Sequence, residues 1–124
     1  MDKPVEVMYY MYENTVCAKI SILTNGDVLC ETYTSVFINK VFAKDGIHSI
    51  KELYKFFETR CFPKERANCK DLLKMLNLGY YNPYDIVHKT HGIMVHDRNW
   101  LKFEGEDLDY NKAKSLIHFA RDLD

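Results

Sequence analysis

The tetrapeptide Thr24-Asn25-Gly26-Asp27 constrains this chain more than any other feature. Asn-Gly supplies the positive backbone angles of a tight type I′ hairpin, and strand-favouring runs flank it on both sides. In residues 16–23, VCAKISIL, the side chains of Val16, Ala18, Ile20 and Ile22 alternate with Cys17, Lys19 and Ser21. A period of two places the apolar set on one face of a strand. Residues 28–34, VLCETYT, make the return strand. Upstream, residues 5–12, VEVMYYMY, are rich in Val and Tyr and read as another strand, joined through a short turn at Glu13-Asn14-Thr15. The N-terminal third is therefore an antiparallel meander. Residues 35–47, which include SVFINKVF, suit a fourth strand or a packed loop equally.

Helical signals begin at Ser49-Ile50-Lys51-Glu52, a capping box in which serine and glutamate each bond the other's backbone. The helix it opens repeats Ile50, Leu53, Tyr54 and Phe57 along one side. It ends near Arg60, because Pro63 disfavours helix at the residue before it. A second helix is predicted from about Lys64 to Asn77, with Cys69, Leu72, Leu73 and Leu76 as its apolar stripe and Gly79 as terminator. Asn82-Pro83 is a favoured start for a third, short helix carrying Tyr84, Val87, His88 and His91 and ending at Gly92. Asp97-Arg98-Asn99 turns into a short strand, Trp100–Phe103. A last helix starts near Asp107 or Asp109 and repeats Ala113, Leu116, Ile117 and Ala120. Strands first and helices after predict a single α+β domain over residues 1–124: a meander of three or four strands, then about four helices packed on one face.

The formal net charge is −1 over 124 residues, so no global pull toward nucleic acid exists. The distribution is uneven: residues 1–39 balance at −3, residues 40–102 at +5 and residues 103–124 at −3. A basic middle either steers an acidic partner or is neutralised within the fold by the acidic ends. No apolar run approaches the roughly 20 residues needed to span a bilayer, and MDKPVEV is too polar for a signal peptide. These features predict a cytoplasmic protein without membrane association, in which Cys17, Cys30, Cys61 and Cys69 remain thiols.

Residues 60–103 concentrate the groups that could carry chemistry. Cys61 and Cys69 with His88, His91 and His96 contain enough ligands for zinc. Their spacing is wrong, however: structural zinc sites bring cysteines two to four residues apart, whereas these are eight apart. Cys61 lies between Arg60 and Lys64, which favours a thiolate, but no signature of a cysteine enzyme surrounds it. His96-Asp97 is read as a turn before Trp100 rather than as a metal pair, and the carboxylates Glu104, Glu106, Asp107 and Asp109 as an acidic loop capping the last helix. There is no phosphate-cradling glycine loop and no serine nucleophile elbow. The reading is of no catalytic residue, no metal and no cofactor.

The order Arg60-Cys61-Phe62-Pro63, Arg66-Ala67-Asn68, Lys89-Thr90-His91-Gly92 and Asp97-x-x-Trp100-Leu101-Lys102-Phe103 resembles a group of small proteins from Firmicutes genomes and mobile elements, along the whole chain. That group implies a setting rather than an activity. Residues 48–110 are also similar to the N-terminal portion of HipA-like kinase toxins. These 124 residues lack the ATP-binding part, so that likeness implies a free-standing accessory or neutralising module. A phage setting adds an inhibitor of host defence, such as an anti-CRISPR protein.

Three functions follow as expectations. The first is a non-enzymatic protein–protein interaction module acting on a bacterial partner. Its surface is built from Arg60, Phe62, Lys64, Arg66, Tyr80, Tyr81 and Tyr84, because Tyr and Arg are frequent interface anchors. Trp100, in an apolar strand, is assigned to the core. The second is a small DNA-binding regulator using Lys51, Lys55, Lys70 and Lys74 together with Arg60, Lys64 and Arg66 on two successive helices. The third is the anti-CRISPR-like inhibitor.

Overall fold

In a computed structural model of the chain, which describes residues 4–94 and 96–116, five strands form one antiparallel sheet. The strands are β1 (Pro4–Tyr12), β2 (Thr15–Leu23), β3 (Val28–Thr32), β4 (Gly46–His48) and β5 (Asn99–Phe103), in spatial order β4-β3-β2-β1-β5. The helices are α1 (Ile50–Glu58), α2 (Cys69–Met75), α3 (Pro83–Thr90) and α4 (Tyr110–Leu116). The α+β class and the N-terminal meander stand. The fourth strand of the meander occupies the end of the undecided stretch 35–47. The fifth returns after three helices to pair with β1, Met11 facing Trp100 and Met8 facing Phe103.

Pairing register assigns the core. Tyr10 faces Ala18 and Leu101, and Ile20 faces Met8 and Cys30, so these side chains share one face. Phe56 of α1 meets Tyr10 edge-on at 5.0 Å on that face. Val7, Met11, Ser21 and Trp100 project from the opposite face, yet they too are buried. Both faces of the sheet therefore carry core side chains, as the aromatic content allows.

Several local readings are refined. Only Gly26 has positive φ in the 24–27 turn, so the hairpin is not type I′. It is a three-residue loop closed by Gly26 N–H to the Leu23 carbonyl and Leu23 N–H to the Asp27 carbonyl. Asn25 contributes by accepting from the Asp27 amide at 2.9 Å. The capping box at Ser49 is formed in both directions. The buried side of α1 is Leu53, Phe56 and Phe57, with Ile50 partly exposed.

Helix α2 starts at Cys69 rather than Lys64. Residues 63–69 form two successive tight turns instead, Arg66 N–H to the Pro63 carbonyl and Cys69 N–H to the Arg66 carbonyl. Its exit uses Asn77, at φ 60, instead of Gly79. Leu78 N–H reaches the Leu73 carbonyl and Asn77 N–H the Lys74 carbonyl, the paired closure of a Schellman motif. Asn82 caps α3 through Tyr84 and Asp85 as expected. Asp109 accepts from Lys112 N–H and so caps α4, whose Ala113 is buried. The expected stripe positions Ile117 and Ala120 lie outside the described residues. No described helix is long and apolar enough to cross a membrane.

Candidate functional site

Arg60 follows α1 and points inward; it is 5 % exposed. Its Nη1 and Nη2 donate to the two Asp97 carboxylate oxygens at 2.7 and 2.9 Å. Nη2 also donates to the Asn99 carbonyl, and Nε to the Gly92 carbonyl at 3.0 Å. Burial works against the guanidinium charge, but the Asp97 bonds more than offset it and hold the proton more firmly than usual. For Asp97, burial likewise opposes ionisation, and the Arg60 bonds and charge prevail, lowering its affinity for a proton. Gly92 is required here. Its φ is 62, and a Cβ would sit 3.3 Å from the Arg60 Cβ. Arg60, Gly92, Asp97 and Asn99 thus form a structural tie of α1 to the start of β5.

The expected interface is corrected accordingly. Arg60 and Phe62 are buried: the bidentate Asp97 and two carbonyls offset the desolvation of the guanidinium, and Phe62 belongs to the hydrophobic core. Tyr81 is half-buried and donates to the Phe62 carbonyl at 2.7 Å; Tyr84, also half-buried, donates to Glu6 at 2.7 Å. Arg66 is half-buried, and Lys64 and Tyr80 are exposed. These residues lie in one region but do not form one open face. Trp100 is fully buried, its indole N–H bonded to the Glu13 carbonyl. Lys51, Lys55, Lys70 and Lys74 are exposed. Ten residues, 59–68, separate α1 from α2, far from the three- or four-residue turn of a helix-turn-helix.

His48, His88, His91 and Cys61 each make contacts within the fold. His88 Nδ1 lies 2.6 Å from the Tyr84 carbonyl and Nε2 2.5 Å from Glu6, while its ring stacks on Phe103 at 4.4 Å. Both ring nitrogens are thus taken up by partners within the protein. His91 bonds Glu106 through Nε2, and that carboxylate also accepts from Phe103 N–H. His48 repeats the His88 pattern between Glu52 and the Lys44 carbonyl, stacked on Phe42 at 4.0 Å. The Cys61 thiol is directed at the Phe57 carbonyl, and burial pushes its pKa up to about 12. The expected thiolate bias from Arg60 is present as a minor, opposing effect. The described residues hold no group of three or more His, Cys, Asp or Glu placed to share a metal ion.

What the sequence left undecided proves the most exposed apolar feature among the described residues. Between Thr32 and Asp45 the chain leaves the sheet, and a 3-10 turn, Phe37–Asn39, carries Phe37 at 77 % and Ile38 at 78 % exposure. Val36 and Tyr33 beside it are at least half exposed. The backbone is nonetheless fixed. Asn39 N–H bonds the Val36 carbonyl, and Lys40 N–H the Phe37 carbonyl. Asn39 itself is buried, its side chain accepting from Asn99 Nδ2 at 3.0 Å. At the base, Asp45 accepts from Thr32 N–H through both oxygens. Just beyond it a shallow groove of about 340 Å³ runs along α1, lined by Val41, Phe42, Glu52, Lys55, Phe56 and Thr59. The stretch SVFINKVF holds five large apolar residues, Val36, Phe37, Ile38, Val41 and Phe42, and nothing in their order says which of them stay outside the core.

Comparison of the chain with protein-family models, with curated proteins and with solved structures gives no match.

Proposed function

We propose that this chain is a non-enzymatic protein–protein interaction module whose working surface is the ridge at residues 33–38. The observation that carries the reading is the exposure of Phe37 and Ile38 on a turn held by its own hydrogen bonds. A mobile loop could hide such side chains by collapse; a fixed one holds them in water until something covers them. Pre-ordering also lowers the entropy lost on docking. The engagement of His48, His88, His91 and Cys61 in internal bonds supports a role without catalysis.

The resemblance to small mobile-element proteins makes a bacterial protein the partner class and an accessory or inhibitory action, including an anti-CRISPR-like one, the setting. The test immobilises the wild-type chain and the F37D/I38D variant and compares what each retains from a bacterial lysate. Retention of a protein by the wild type, its loss with the variant and an unchanged melting temperature support the reading. Equal retention by both contradicts it. A salt-sensitive electrophoretic shift of DNA, lost on charge reversal of Lys51, Lys55, Lys70 and Lys74, would replace it with the regulator.

A further inference from the structure

We propose that His48 is a proton-operated latch: its imidazolium clamps residues 41–44 to the start of α1, and loss of the proton releases them. The latch does not depend on the ridge's binding a partner. Nδ1 of His48 lies 2.7 Å from Glu52 Oε2 on α1, and Nε2 lies 2.7 Å from the Lys44 carbonyl oxygen. A carboxylate and a carbonyl only accept, so both bonds exist together only when both ring nitrogens carry a hydrogen. A neutral ring has one hydrogen and sets a lone pair against one of the two acceptors. The charged partner, Glu52, forms the stronger bond and keeps it. The lone pair then faces Lys44, and its carbonyl is turned away. Among the described residues, the contact with His48 is the only hydrogen bond made by residues 41–44.

Two further observations favour the charged ring. His48 stacks on Phe42 at 4.0 Å with the planes 20° apart, and an aromatic face attracts a cation. Burial opposes the charge, but the bonds to Glu52 and to the Lys44 carbonyl outweigh it and Asp45 adds to them, so the pKa is raised. The charged groups facing the ring are Glu52 from α1 and Asp45 from the turn before β4; its partner on β3 is Val28. Asp45, which also feels Lys40, stays ionised because hydrogen bonds from Thr32 lower its pKa. It keeps the Thr32 N–H throughout, so β4 stays paired and only the segment ahead of Asp45 is freed. Val41 and Phe42 of that segment line the groove beside α1 together with Phe56 and Thr59. Raising the pH therefore opens this groove, and lowering it closes it, the direction a raised histidine pKa requires.

An NMR titration of the full chain from about pH 5 to 10 tests this, read on carbon-bound protons that do not exchange with water. The His48 ring signals report its protonation, Overhauser contacts between the Phe42 and His48 rings report the latch, and Val41 methyl order reports the segment. The ring contacts and the Val41 order are expected to be lost with the same midpoint as the His48 titration, while contacts between Leu29 and Ile47 across β3 and β4 persist. Glu52→Gln, which removes the facing charge, should lower that midpoint by about one pH unit. His48→Gln should leave Val41 mobile at every pH. Rings that stay in contact through the His48 titration overturn the proposal, as does a His48 that does not titrate in this range. So does a His48→Gln chain in which Val41 is ordered throughout, or ordered only in acid as in the wild type. If His48→Gln fails to fold, the wild-type midpoints and Glu52→Gln still decide.

Discussion

Replacing Arg60 by alanine separates a structural tie from a surface contact. The substitution removes four donated hydrogen bonds, two to Asp97 and one each to the Gly92 and Asn99 carbonyls. Breaking one side of a buried ion pair costs about 3–5 kcal/mol. Asp97 keeps 26 % of its side chain in water, so part of its charge is re-solvated and the lower end applies, about 3 kcal/mol. For a domain of this size that lowers the melting temperature by roughly 12 °C, at about 4 °C per kcal/mol. Arg60→Lys should fall between, since an ammonium keeps the charge but cannot make the bidentate fork. Thermal and urea unfolding followed by circular dichroism give both values. A melting temperature for Arg60→Ala within 3 °C of wild type, on this scale less than about 1 kcal/mol, would refute the reasoning and return Arg60 to the surface.

Gly92→Ala should cost about 1–2 kcal/mol in the same assay, because φ 62 and the 3.3 Å approach to Arg60 both oppose a Cβ. His48 gives a pH signature. Burial disfavours its charge, but the Glu52 and Lys44 bonds outweigh that, so its folded pKa is raised. A raised pKa means stability fully present below about pH 6.5 and lost as pH rises through the folded value. Melting temperature should therefore fall between neutral and mildly alkaline pH, and His48→Gln should flatten that slope; Asp97, whose pKa is lowered, acts only in acid. Cys61, with a pKa of about 12, should resist alkylation at pH 8 in the folded chain and react at once in denaturant; labelling of the folded form at the unfolded rate would contradict its burial.

Local chemistry was legible. Ser49 with Glu52 and Asn82 with Pro83 each rest on neighbours in sequence, and each formed; in β2, Ala18, Ile20 and Ile22 are buried as the alternation predicts, but Val16 is exposed and Cys17 and Ser21 are buried on the other face. The misses are long-range. Nothing near Arg60 reveals that Asp97, 37 residues on, will meet it, or that His88 will reach Glu6 82 residues back. Without those pairings, arginine and tyrosine look like interface anchors rather than internal ties. Helix α2 was misplaced because Pro63 forbids helix before it but does not fix where the next one starts. Residues 35–47 resisted assignment because the contact that fixes them, Asn39 to Asn99, spans 60 residues of sequence.

The melting temperature of F37D/I38D tests the central claim most directly. If the ridge is packed against nothing within its own chain, placing two carboxylates there leaves unfolding within about 2 °C of wild type, as for ordinary surface substitutions. A fall of about 10 °C or more would show that Phe37 and Ile38 are core residues, and that the surface proposed to bind is part of the fold instead.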